Sequence, residues 1–207
     1  MDLQYHGGNA ISLSYKGARI VIDDNLNELG AKTIIRPDDV ALFTNAVHAE
    51  TQARLVFDKP GEYEVSEISI TGIPARAHLE EDKGKSITMF KLMSGDVSML
   101  ITGHIHPDLS DAQLEDIGVV DVLVVPVGGN GYTLDPAGAL KVIKEIEPKI
   151  IVPTHYADPD LKYPVPQQDL ASALKELPME PKEAVPKLKV KAAELSDLTQ
   201  LVILEKV

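Results

Sequence analysis

The pattern that most limits the fold is a change of hydrophobic period partway along the chain. Up to about residue 102 the apolar residues come in short alternating or continuous runs broken by turn signals. "AISLSYKGARIVIDD" reads as a hairpin about Lys16-Gly17, and "DDVALFT" as a short buried strand. "ARLVFDKPGEYEVSEISITGI" holds two or three strands around "KPGEY", and "SITMFKLMSGDVSMLITG" is a hairpin turning at "SGD". After that, helical segments alternate with strands. "LSDAQLEDIG" is a short helix with Ser110 as N-cap and Gly118 as its stop. "LDPAGALKVIKEIEPK" is the clearest helix, with Asp135 as cap, Pro136 in the first turn, and an apolar stripe of Ala139, Leu140, Ile143 and Ile146. Between them "VVDVLVVPVGG" is a Val-rich run suited to a strand buried on both faces. "IIVPTHY" is a strand breaking into a loop, "PQQDLASALKEL" a helix, and "KLKVKAAELSDLTQLVILEKV" a closing hairpin about Ser196-Asp197. Hairpins followed by strand–helix–strand units predict two facing sheets covered by helices, not one doubly wound sheet.

With 207 residues and no linker-like segment, the chain is expected to form one domain, 1–207. Its formal charge of −12 repels phosphate backbones, so no nucleic-acid partner is expected. The short basic run "PKLKVK" reads as a solvated strand face. There are no cysteines, which removes disulfides, thiolate ligands and Cys nucleophiles and fits a reducing cytoplasm. "MDLQYHGGNA" has neither a basic region nor an apolar stretch, so no signal peptide is expected. No apolar run approaches the ~18 residues a membrane span needs, so no membrane partner is expected. A small-molecule ligand or substrate is the expected partner, and the sequence leaves self-association into a homo-oligomer open.

All six histidines, His6, His48, His78, His104, His106 and His155, stand at or just beyond the end of an apolar run. A rigid sheet can aim such groups into one crevice. In the extended segment "GHIHP", His104 and His106 point to the same side, and two imidazoles joined by His155 or a carboxylate can satisfy a divalent metal. "GGNG", residues 128 to 131, either cradles an anion before the following helix or is a tight turn demanding positive φ.

The order of "GGNAISLSYKGARIVIDD", "DDVALFTNAVHAE", "GIPARAH", "LITGHIH" and "DVLVVPVGGNGYTLDPAGALKVIKEIEPKIIVPTHY" resembles the metallo-β-lactamase superfamily, in the small-hydrolase branch that includes ascorbate-6-phosphate lactonase-like proteins. The resemblance implies an α/β fold, the αββα four-layer sandwich. It also places the family's Thr-His-x-His-x-Asp-His metal motif at Thr44, so that the ligands fall on Asn45, Val47, Ala49 and Glu50. The bridging Asp falls on His104 and the opening His on Asn9, while His78, His155 and Asp23 remain. Asp23 is then expected to orient the motif loop through hydrogen bonds. A two-metal centre is not expected from such a set. Two alternatives stay open beside a metal-free acid–base enzyme that would use His104, His106 and His155 directly. In one, a single Zn or Fe ion is held by Glu50, His104 and His155, with His78 adding to the set and His106 or Tyr156 handling protons in hydrolysis of a small ester, lactone or phosphoester. In the other, the pocket binds no metal and serves a non-catalytic member of the fold that takes a small molecule or a protein.

Overall fold

The structure, a computed structural model, describes residues 1–46, 48, 50–79 and 86–207, with Ser86 described by its backbone alone. Its strands are β1 (Asp2–Gly7), β2 (Ala10–Tyr15), β3 (Ala18–Ile22), β4 (Val40–Leu42), β5 (Leu55–Phe57), β6 (Gly61–Val65), β7 (Ile68–Arg76), β8 (Ser86–Ser94), β9 (Val97–Ile101), β10 (Val122–Pro126), β11 (Ile150–Thr154), β12 (Leu188–Lys189) and β13 (Gln200–Leu201). Its helices are α1 (Asp111–Ile117), α2 (Pro136–Ile146) and α3 (Leu170–Glu176). The strands form two mixed sheets. The first runs β12-β1-β2-β3-β4-β5 and the second β13-β11-β10-β9-β8-β7-β6.

Alternation decides which side chains meet between the sheets. Leu3, Tyr5, Ile11, Leu13, Ile20 and Ile22 of the first sheet pack against Ile70, Phe90, Leu92, Met99, Val122 and Val152 of the second. The opposite face of the second sheet, with Leu100, Leu123, Val125 and Ile151, lies under Ile117 of α1, Ala139, Val142, Ile143 and Ile146 of α2, and Ala173 of α3. That is why β9, β10 and β11 pair in parallel and are buried on both faces, as the Val-rich run predicts. On the first sheet's outer face, Val21, Ala41 and Phe43 are covered by Ile34 and Ile35 from the loop after β3. Asp24 pins this loop by accepting from Thr33 Oγ1 at 2.5 Å and from the Ile34 and Ile35 N–H groups at 2.7 and 2.9 Å.

The closing hairpin expected of residues 187–207 does not form. The sequence there splits instead. β12 pairs with β1, while β13, after a 3₁₀ turn at Ala192–Glu194, pairs with β11 in the other sheet. The N-terminal ammonium donates to the Val190 carbonyl at 2.9 Å, across 189 positions of chain. No described helix is long and apolar enough to cross a membrane.

Both predicted N-caps form. Ser110 forms a capping box with Gln113, and Asp135 Oδ1 accepts from the Gly138 N–H at 2.7 Å with Pro136 at the first position. Replacing Asp135 with Ala is expected to lower the unfolding free energy by about 1 kcal/mol, read as a shift of the urea midpoint at constant slope.

Candidate functional site

The C-terminal ends of β3, β4, β9 and β11, with the turn after β1, deliver short loops to one cavity of about 100 Å³. Gly7, Asn9, Asp23, Asn25, Thr44, Asn45, His104, Tyr132 and His155 are among the residues lining it. Of the sequence-predicted site residues, the structure therefore brings together His104 and His155, with Asp23 at the wall.

Asp23 is the frame of this wall. Its backbone sits at φ 51° and its N–H donates to the Leu42 carbonyl. Its carboxylate accepts from the Thr44 N–H and the Thr44 hydroxyl, each at 2.7 Å. Burial pushes its pKa up to about 6, and the two Thr44 bonds act against that rise. Gly103 closes behind Thr44, since a Cβ there would lie 2.3 Å from Thr44 Oγ1. This is the loop-orienting role expected of Asp23.

His155 follows β11 at φ 53°, its N–H donating to the Gly8 carbonyl at 2.8 Å and its Nδ1 3.1 Å from Gln167 Oε1. Burial lowers its pKa to about 4. The His104 ring stands nearly perpendicular to it, centroids 4.6 Å apart. Burial, and then the neighbouring His155 and His78, hold His104 well below the ordinary imidazole range. Its Nε2 is buried without a hydrogen-bond partner, and so is Asn25 Oδ1 at the same cavity. Tyr132 lies 5.1 Å from His104 and 5.6 Å from His155, and Tyr163 5.1 Å from His155, so both imidazoles are neutral and ringed by aromatics.

The other expected residues are placed elsewhere. His78 lies beside His104 along the backbone, its N–H donating to the His104 carbonyl, but its ring is 6.5 Å from that of His106 and does not line the cavity. His106 belongs to a surface cluster with Asp108, Arg76 and Lys141. Tyr156 packs against Tyr5 in the core. Glu50 lines a separate depression with Asp24, Thr33 and Gln52. Alternation puts His104 and His106 on one side only while the segment is extended, and here Gly103 takes a positive φ and the chain bends at His104. Val47 and Ala49 lie outside the described residues. In the "GGNG" segment, Gly129, Asn130 and Gly131 all have positive φ, as a tight turn requires. Sequence reading missed Tyr132, Gln167 and Asn25. Tyr132 follows that turn, which was its one signal.

The donor chemistry can be set against a metal centre. Both Asp23 oxygens are engaged by Thr44, and Asn9 Oδ1 accepts from the Thr154 hydroxyl. The imidazoles of His104 and His155, the Asn25 amide oxygen and Glu28 are the further possible donors there. Among the described residues, no group of three or more His, Asp or Glu side chains is arranged to hold an ion. The described residues do not fit a two-metal centre.

Residues 2–155 match the family model described as the beta-lactamase superfamily domain. Two relatives are described as UPF0173 metal-dependent hydrolases. The chain is 37% identical over 67 residues to one from Carboxydothermus hydrogenoformans, covering 32% of this chain and 29% of the relative. It is 29% identical over 103 residues to one from Archaeoglobus fulgidus, covering 46% and 44%. The chain thus matches less than half the length of these relatives. Among solved structures, a candidate zinc-dependent hydrolase of the metallo-β-lactamase superfamily from Thermotoga maritima superposes with a TM-score of 0.77 at 23% identity, covering 98% of this chain and 97% of that one. The metallo hydrolase Igni18 from Ignicoccus hospitalis gives 0.61 at 19%, covering 92% and 99%. At these identities the structures speak for the shared fold alone.

Proposed function

Because the chain belongs to the β-lactamase superfamily yet lines its cavity with so few free donors, we propose that it is a binding member of the metallo-β-lactamase fold. Its pocket takes a small, neutral, polar molecule. The observation that carries this reading is the pair of neutral, buried imidazoles, His104 and His155, beside a carboxylate wholly engaged by Thr44.

Charge and size support the same reading. No Lys or Arg is among the described residues lining the cavity, so a phosphoester or carboxylate would enter without a countercharge. A cavity of about 100 Å³ suits a small molecule. Acid–base catalysis by His155 is disfavoured, since a base with a pKa near 4 is weak at neutral pH, and burial lowers His104 as well. The relatives' description as metal-dependent hydrolases makes metal content the measurement to set against this reading.

The test uses untagged protein, loaded with zinc or iron(II) and then desalted. Metal well below one equivalent per chain is expected, together with a rise in melting temperature on adding acetamide or glycerol. Two equivalents would overturn the reading in favour of a two-metal hydrolase. One equivalent, lost in both His104→Ala and His155→Ala, would overturn it in favour of the single-ion site with Glu50 or His78.

A further inference from the structure

We propose that Gln167 is a positioning residue that holds His155 as the tautomer protonated on Nδ1, so that the Nε2 lone pair faces the pocket and selects an occupant that donates a hydrogen bond.

The inference starts from the two ends of one amide. One end of the Gln167 side chain lies 2.7 Å from the Val165 carbonyl. A carbonyl only accepts, so this end must be the NH₂. The other end is then the amide oxygen, which also only accepts, and it lies 3.1 Å from His155 Nδ1. Nδ1 must therefore carry the hydrogen. A neutral imidazole has one N–H, so Nε2 is left with a lone pair. Of the two nitrogens, Nε2 is the one not taken by Gln167, and the ring lines the cavity.

The amide has little freedom to turn round. Flipping it would set oxygen against the Val165 carbonyl. Gln167 is 9% exposed, and its loop is tied down on both sides: the Gln168 N–H donates to the Gly128 carbonyl, and the Ala157 N–H to the Gln168 carbonyl. The close approach of Gly128 completes the seat, since a Cβ at that position would lie 2.3 Å from Gln167 Oε1.

The chemistry of the occupant follows. His155 Nε2 and the unpartnered Asn25 Oδ1 are both acceptors at one cavity. An occupant with N–H or O–H groups, such as a primary amide or a small alcohol, satisfies both, whereas a ketone or an ether satisfies neither. This donor class rests on the pocket being a binding site. The tautomer does not.

The two parts are tested separately on the ¹⁵N-labelled full chain, with His155 identified by comparison with His155→Asn. Long-range ¹H–¹⁵N correlation of the wild type is expected to show a protonated Nδ1 and a pyridine-like Nε2. Gln167→Met is expected to move at least half the population to the Nε2–H form, and Gln167→Glu, which still accepts, to keep the wild-type pattern. An Nε2–H ring in the wild type overturns the assignment without any variant having to fold, as does an unchanged tautomer in folded Gln167→Met. Acetamide is then expected to shift the Nε2 resonance while acetone leaves it in place. The right tautomer with no response to acetamide overturns the donor-binding reading of the pocket and leaves the role of Gln167 standing.

Discussion

Gly128→Ala is expected to be among the most damaging single-methyl changes in the chain, lowering the unfolding free energy by about 3–5 kcal/mol. A Cβ at this position would lie 1.9 Å from the His155 carbonyl oxygen as well as 2.3 Å from Gln167 Oε1. The first of these is a backbone atom at the end of β11. It belongs to a residue whose backbone is held by its N–H bond to Gly8 and its left-handed φ. Gly131→Ala is the control. Nothing lies within 4 Å of its Cβ, and only its φ of 74° resists substitution, at about 1–2 kcal/mol. Urea unfolding of the two variants should separate these figures. Equal losses would mean that the packing of Gly128 on His155 is not the constraint.

The second large effect is on pH dependence. His155 titrates near 6.5 in an unfolded chain and near 4 when folded. The unfolded state therefore takes up the proton first. The contribution of His155 is fully present above pH 6.5 and is lost as pH falls toward 4, at about 1 kcal/mol or a little more per unit, on the order of 3 kcal/mol in all. Asp23 has the opposite sign. Its folded pKa is raised to about 6, so its contribution is favourable in acid and is lost as pH rises to 6. The whole-protein profile mixes the two, so the measurement is a difference. The stability of wild type minus His155→Asn, which tolerates the positive φ, should shrink steadily from pH 6.5 to 4.5. A flat difference would show that His155 is protonated in the folded chain.

The sandwich could be read from the sequence because its signals are local. A Val-rich run says "buried on both faces" wherever it lies, and Ser110 and Asp135 cap the helices they precede. The segment after residue 187 could not be read so. β12 and β13 are two residues each, too short to carry a period, and their partners, β1 and β11, are chosen by long-range pairing. The site divides in the same way. Asp23, His104 and His155 stand at strand ends, where the sheet fixes their aim. Glu50 was placed by counting from Thr44 along a loop, and a count gives no direction once the strand has ended. Gln167 lies in the Pro-rich stretch "YPVPQQ", where nothing in the sequence distinguishes a buried amide from a solvated one.

Pairing the first strand with one of the last also has a cost during synthesis. During synthesis β1 can pair with β2 almost at once, but its other edge waits for residues near 190. At translation rates of about 5–20 residues per second, that wait is roughly 10–40 s. For this interval a nascent chain displays an open row of peptide groups flanking Leu3 and Tyr5, side chains destined for the interior. Ribosome stalling or premature termination before β12 would prolong the exposure, making this edge the place where nascent copies entangle and where a holding chaperone has most to protect.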